Sequence, residues 1–282
     1  MDLPLQLAVE VERNVLAALA EDIGGGDLTA LLTPAGHVSR GLVVSREDAI
    51  LCGSAWFDAC FHRLDAGARI AWYAEDGQPI NAGQTLCEVD ADTRALLSAE
   101  RTALNFLQLL SGTATATRRY VDAVDGTTAK IVDTRKTLPG LRLAQKYAVR
   151  TGGGHNHRLG LYDGILIKEN HILAAGGIRP ALTQARQLAH GSVFIQIEVE
   201  TLVQLHEALE CGATMVLLDN MNLSQMREAV AINAGRAELE ASGGVNLERV
   251  RSIAETGVQR ISIGGLTKDV CAIDLSLRHV ER

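Results

Sequence analysis

From residue 129 onward the chain repeats one pattern, and that pattern is compatible with few folds. A short apolar run ends in a polar or glycine residue and is followed by a stretch long enough for a helix. The runs are 129–132 before Asp133-Thr134-Arg135-Lys136, 164–167 before Lys168-Glu169-Asn170, and 193–197 before Glu198. Three more follow: 215–218 before Asp219-Asn220, 239–241 before Ser242-Gly243-Gly244, and 258–263 before Gly264-Gly265. Strands separated by helix-sized connections pair in parallel through right-handed crossovers, and both faces of such a sheet must be covered. A doubly wound sheet and a barrel both satisfy that rule. In a barrel every strand end converges on one mouth, whereas an open sheet uses only the strands beside its switch point. Because nearly every run here ends in a polar residue, the barrel is favoured. With about six units instead of the usual eight, it is a smaller or incomplete α/β barrel.

The first third reads as alternating strands and helices. Residues 41–45 and 70–73 are strand-like, and Gly77, Pro79, Gly83 and Asp90 mark the segment 75–91 as turns. A long helix is expected from Thr93 to about Tyr120 on the spacing of Leu96, Leu97, Leu104 and Leu107, interrupted near Ser111 and Gly112. Placing the domain junction at that interruption gives an N-terminal domain of residues 1–112 and a catalytic barrel of 113–266. Residues 267–282 form a C-terminal segment with the option of returning to the first domain.

Composition narrows the function. A formal charge of −7 argues against a nucleic-acid binder. Cys52, Cys60, Cys87, Cys211 and Cys271 are scattered without metal-ligand spacing, as expected of reduced thiols in the cytosol. Residues 1–12 have neither a basic region nor a cleavage site, and no apolar run approaches the roughly 18 residues of a spanning helix. The expectation is a cytoplasmic protein without membrane contact. The acidic average conceals a basic stretch from Lys130 to His171, containing Arg135, Lys136, Arg142, Lys146, Arg150, Arg158 and Lys168. Such a concentration suits a small anion, although a solvated helix face would have the same composition.

Individual residues sharpen that reading. Arg135 and Lys136 join a planar fork to a compact charge where a barrel strand ends, a pairing suited to carboxylate or phosphate. Gly152-Gly153-Gly154 offers backbone that can approach a ligand closely, ahead of His155, His157 and Arg158. Lys168 closes an apolar strand, where an ammonium needs a polar mouth or a counterion such as Glu169. Glu198 and Asp219, on neighbouring strands, can hold magnesium, bind ribose hydroxyls or pair with these cations. Ser242-Gly243-Gly244 and Gly264-Gly265 leave backbone N–H groups open for a phosphate after the last two barrel strands. The ligand read from these residues carries a phosphate at one end and carboxylates elsewhere.

Together these segments resemble one family, quinolinate phosphoribosyltransferase. The resemblance also rests on Glu21-Asp22, Gly26-Asp27-Leu28-Thr29 and Glu100-Arg101-Thr102-Ala103-Leu104-Asn105, and it spans nearly the whole chain. It implies an N-terminal α/β sandwich domain followed by an incomplete α/β barrel, assembled as a homodimer or a higher even-numbered oligomer. It implies conversion of quinolinate and phosphoribosyl pyrophosphate to nicotinate mononucleotide, pyrophosphate and carbon dioxide with Mg2+. Arg101 would reach the partner's barrel, while Arg135, Lys136, His157, Arg158 and Lys168 hold carboxylates and phosphates. Glu198 and Asp219 would face ribose and metal, completing a catalytic set with Lys136 and Lys168, and Ser242, Gly243, Gly264 and Gly265 would take the 5-phosphate. Three rivals share parts of this set: a paralogous branch associated with molybdenum transport, a Schiff-base lyase using Lys168, and a sugar-phosphate sensor that binds without reacting.

Overall fold

The computed structural model describes residues 5–280; the ends of the two terminal segments discussed above, 1–4 and 281–282, lie outside the described residues. In chain order the elements are α1 (Leu5–Ile23), β1 (Val38–Ser45), β2 (Ala49–Ile50), α2 (Ser54–Leu64), β3 (Arg69–Trp72), β4 (Pro79–Ile80), β5 (Thr85–Asp92) and α3 (Thr93–Ala123). Then come β6 (Lys130–Val132), α4 (Arg142–Thr151), β7 (Gly164–Ile167), α5 (Glu169–Ala175), α6 (Ile178–Leu188), β8 (Phe194–Val199) and α7 (Leu202–Glu210). The chain continues through β9 (Met215–Asp219), α8 (Leu223–Asn233), β10 (Glu238–Ser242), α9 (Leu247–Ala254), β11 (Arg260–Ser262), α10 (Gly265–Lys268) and β12 (Leu275–Val280). These form two compact units. The first comprises residues up to 118 with 137–153 and those from 267 on, and the second comprises 119–136 with 154–266.

The first unit is built on an antiparallel sheet ordered β12-β1-β5-β3, with β2 and β4 as a separate pair. Its core gathers Trp56, Phe57 and Phe61 of α2 with Leu96, Leu104, Leu107 and Leu110 of α3. β5 corrects the expectation of turns across 75–91. Asp disfavours strands, but here Asp90 and Glu88 face Arg40 on β1 at 2.8 and 3.4 Å, while Cys87, Val89 and Ala91 alternate into the core. Cross-strand pairing outweighs local propensity.

The helix α3 is also unbroken where an interruption was expected. Ser111 Oγ accepts from Cys52 N at 2.9 Å and donates to Cys52 O at 3.1 Å. A side chain on Gly112 would collide with the carbonyl of Cys271. Both residues are small because other backbone runs against the helix, and neither ends it. Gly152 is explained the same way: a Cβ there would strike Ala114 O on α3, so packing alone requires a glycine there.

The second unit carries a parallel sheet ordered β6-β11-β10-β9-β8-β7. Five of the six expected runs differ from these strands only at their ends, and that from Gly164 matches β7. β8 extends to Val199, so Glu198 lies within the strand. Side-chain caps start the helices that follow the strands: Thr201 for α7, Asn222 for α8 and Asn246 for α9. Because the strands neighbour one another in chain order, the ring lacks one ladder, between β6 and β7. A non-strand segment fills that gap. His155 pairs with Val132 of β6, and Arg158 Nη1 donates to Gly164 O of β7 at 2.9 Å. Gly164 is glycine for a steric reason: its Cβ would lie 2.6 Å from the ring of Phe194 and 3.2 Å from Arg158 Cβ. The result is an incomplete α/β barrel whose missing ladder is replaced by residues 155–158.

Asp58 on α2 offers a test of the first unit. It accepts from Trp72 Nε1 at 2.9 Å, and burial pushes its carboxyl up to about 6 from 3.8. As pH rises the unfolded chain ionises first, so the native state loses stability between about pH 4 and 6, on the order of 2 kcal/mol. Asp58→Asn removes that loss. In urea unfolding the variant is expected to be more stable than the parent by about 2 kcal/mol at pH 7.5, with no advantage near pH 3.5.

Candidate active site

Successive side chains on a strand face opposite ways, so Gln196 and Glu198 share one face of the sheet, as do Leu217 and Asp219, Glu240 and Ser242, and Arg260 and Ser262. That this face is concave follows from a bond across it. Gln196 of β8 reaches Glu240 of β10 over the intervening β9, with Nε2 3.2 Å from Oε2. The C-terminal members of each pair lie at one end of the barrel.

Positive charge enters from two loops and one strand end. Arg135 follows β6 and its Nε is buried with no hydrogen-bond partner among the described residues. Arg158 lies in the segment that fills the barrel gap. Its pKa is lowered by burial first and by the nearby Arg135 second, with Asp163 opposing. Two guanidiniums thus stand close enough to repel each other. Lys168, just after β7, places Nζ 3.4 Å from Glu198 Oε2. Lys136 lays its stem along Gly264, whose added Cβ would stand 2.9 Å from Cδ and 3.7 Å from Nζ. The loops after β6 and β11 are therefore neighbours, and an ammonium adjoins Gly264. Gly265 opens α10 beside them.

The carboxylates balance these cations. Glu198 is pushed upward by burial; Lys168 opposes that shift, and Asp219 adds to it. Asp219 Oδ2 accepts from the side chain of Asn220 at 2.7 Å, and Asn220 is left-handed with φ of 54°. Gly243 has φ of 96° and no room for a Cβ against Asn220 Oδ1, so it is glycine whether or not it meets a phosphate. A cation fits beside Glu198 and Asp219 on electrostatic grounds, since Asp219 raises the cost of ionising Glu198. Among the described residues no three His, Cys, Asp or Glu cluster as a metal cage. Magnesium does not require one, because it keeps water and binds through one or two carboxylates.

Most of the expected residues are in the second unit: Arg135, Lys136, His157, Arg158, Lys168, Glu198, Asp219, Ser242, Gly243, Gly264 and Gly265. Arg101 is carried by α3 in the first unit and is exposed. The basic stretch is divided. Arg142, Lys146 and Arg150 lie on α4 in the first unit, and Arg135, Lys136, Arg158 and Lys168 belong to the second. Sequence reasoning passed over Gln196, Glu240 and Arg260. Their signal was available: a polar residue in the middle of a central strand, as in Ile195-Gln196-Ile197 and Leu239-Glu240-Ala241.

Comparisons with known proteins agree with this geometry. The model of the N-terminal domain of quinolinate phosphoribosyl transferase matches residues 27–111, and that of its C-terminal domain matches 113–278. A nicotinate-nucleotide pyrophosphorylase (carboxylating) of Mycobacterium leprae is 45% identical over 274 residues, covering 94% of this chain and 95% of the relative. A mitochondrial quinolinate phosphoribosyltransferase (decarboxylating) of Nicotiana tabacum is 40% identical over 281 residues, covering 93% and 80%. The solved nicotinate-nucleotide pyrophosphorylase of Francisella tularensis superposes with a TM-score of 0.94 at 44% identity, over 99% of this chain and 98% of that one.

The ion pair between Lys168 and Glu198 is open to direct measurement. Replacing Lys168 by Met removes the contribution that lowers the Glu198 pKa, while burial and Asp219 remain. Carboxyl-carbon NMR is expected to show Glu198 titrating at higher pH in the variant than in the parent.

Proposed function

The chain belongs to the quinolinate phosphoribosyltransferase family, and on that premise we propose that it joins quinolinate to phosphoribosyl pyrophosphate, releasing pyrophosphate and carbon dioxide. The observation that carries this reading is the juxtaposition of Arg135 and Arg158, mutually repelling and partly buried, with one guanidinium N–H unsatisfied. Fixed cations that pay the cost of their own crowding before a ligand arrives suit a compact dianion, and quinolinate is one.

The chemistry needs positioning more than it needs a protein nucleophile. The pyridine nitrogen of quinolinate attacks the anomeric carbon of the ribose as the bond to pyrophosphate breaks. Arg135, Arg158 and Lys168 hold the two carboxylates and so orient the nitrogen. Lys136, beside Gly264, provides charge, and the loops of Ser242-Gly243 and Gly264-Gly265 provide backbone N–H groups for the 5-phosphate. Glu198 and Asp219 offset the positive charge that develops on the ribose. Magnesium held by Glu198 and Asp219, directly or through water, would neutralise the departing pyrophosphate. Once the nitrogen is quaternary, loss of the adjacent carboxylate leaves an electron pair that the pyridinium stabilises and a proton then quenches. An ammonium paired with a carboxylate is a poor nucleophile, which weighs against a Schiff base at Lys168.

Assembly as a homodimer, or a higher even-numbered oligomer, is part of the proposal. Leu28, Leu31 and Leu32 are 83%, 62% and 84% exposed, an apolar group that a partner would cover. Asp27 Oδ2 accepts from Ser98 Oγ at 2.8 Å, which ties that group to the α3 face that also carries Arg101. Arg101, exposed there, is the residue offered to a partner's barrel. Among the described residues no helix is long and apolar enough to cross a membrane. The cysteines are unpaired and all but Cys271 are buried, which supports a reducing, cytoplasmic setting.

Two experiments test the proposal. A coupled assay with both substrates is expected to show pyrophosphate and nicotinate mononucleotide forming together. Arg135→Ala should lower kcat/KM for quinolinate by ~100-fold or more, because charge-assisted hydrogen bonds contribute about 1.5–3 kcal/mol each. No product from the unaltered protein would reject the reading. For the assembly, Arg101→Ala and Lys168→Ala should each be inactive alone. Co-expressed, they should recover about a quarter of full activity through mixed dimers that hold one intact site.

A further inference from the structure

Beneath the carboxylates at the barrel mouth runs a chain of buried polar side chains that the reaction itself does not call for. His157 is 8% exposed, and Gln196 and Glu240 are fully buried. His157 Nδ1 accepts the backbone N–H of Arg158 at 2.8 Å, which leaves the ring proton on Nε2. That nitrogen stands 2.7 Å from Gln196 Oε1 and donates to it. Gln196 Nε2 donates in turn to Glu240 Oε2 at 3.2 Å, and Arg260 Nε donates to the same oxygen at 2.9 Å.

The order of donors is fixed at every joint. Glu240 is an acceptor toward Arg260, so the amide of Gln196 must turn its NH2 toward Glu240 and its oxygen toward His157. The imidazole edge also rests against the ring of Phe194, with centroids 5.5 Å apart. On the main-chain side, Asp133 Oδ1 accepts His157 N at 2.8 Å, and Asp133 Oδ2 accepts the Asn156 side chain at 2.6 Å. Both ring nitrogens of His157 are therefore engaged inside the chain, and neither is left to meet a ligand carboxylate.

We propose that Gln196, oriented by Glu240, is a positioning residue for quinolinate recognition: it locks His157 in the Nε2–H tautomer, and His157 Nδ1 then fixes the backbone of Arg158. In this account His157 contributes through Arg158 and not through its own ring, which revises the substrate contact expected from the sequence. The inference rests on the functional reading above and adds to it the residues that hold one of the acid-binding arginines in place. Neither Gln196 nor Glu240 touches the substrate. A buried amide bonded at both ends is costly to replace with an apolar side chain, because His157 Nε2 and Glu240 Oε2 would each lose a partner.

The test compares Gln196→Met with Gln196→Glu. Met keeps the volume and removes both hydrogen bonds. Glu can share one proton with Glu240 and keep both. In Gln196→Met the KM for quinolinate is expected to rise ~10-fold or more, with kcat and the KM for phosphoribosyl pyrophosphate within about twofold of the parent. Gln196→Glu should stay within about threefold on all three. In protein labelled with 15N-histidine, the parent should show His157 protonated on Nε2 alone, and Gln196→Met should lose that preference.

An unchanged quinolinate KM in Gln196→Met, an equal rise for both substrates, or His157 protonated on Nδ1 in the parent would overturn the proposal. Should Gln196→Met fail to fold, the parent's ring spectrum together with the Gln196→Glu kinetics still decides. Absence of turnover in the parent would count against the functional reading instead; the ring spectra and calorimetric quinolinate affinity of the same variants would then test the hydrogen-bonded chain independently.

Discussion

The carboxylate of Asp133 holds the open side of the barrel together. It follows β6 directly, is fully buried, and accepts from His157 N and from the Asn156 side chain. Those two bonds, with the pairing of His155 and Val132, fasten a segment of irregular chain against the last ladder edge. A parallel sheet edge left bare would expose a row of unpaired N–H and C=O groups. Here the gap between β6 and β7 is occupied by residues that bond to both sides, so the same segment that completes the barrel also delivers Arg158. Closure and charge placement are a single structural event.

Charge at the mouth is arranged by sign and by depth. The cations Arg135, Lys136, Arg158 and Lys168 belong to loops and a strand end, where long stems can place their heads beside one another. The acids Glu198 and Asp219 are set on strands hydrogen-bonded to a neighbour on each side. One layer deeper, Gln196 joins Glu240 to His157, and His157 joins them to the backbone of Arg158. A ligand at the rim meets groups whose spacing the deeper layer determines.

How much of this was legible in the sequence depends on the kind of signal. Short apolar runs ended by a polar or glycine residue mark all six strands of the second unit, because strands buried on both faces leave so plain a pattern. The antiparallel strand β5 was hidden because Asp90 and Glu88 look like turn residues until Arg40 stands across from them. Ser111, Gly112 and Gly152 share one ambiguity: a small residue signals close approach without saying what approaches. The packing of Cys52, Cys271 and Ala114 against them is visible only in three dimensions. Gln196 and Glu240 were overlooked as minor exceptions within apolar runs, although such exceptions on central strands must have partners.

The edge pairing of β12 with β1 has a consequence for how the chain comes into being. β1 is bracketed by β5, close to it in sequence, and by β12, which follows the whole second unit; Arg40 lies opposite Val280. During synthesis the sheet of the first unit therefore waits, one flank uncovered, while every barrel strand emerges from the ribosome. The barrel's own strands need only chain already made. A nascent protein halted before β12 would present the whole of the eight-residue β1 as a sheet edge for self-association; in the completed molecule that edge is the shorter, six-residue β12.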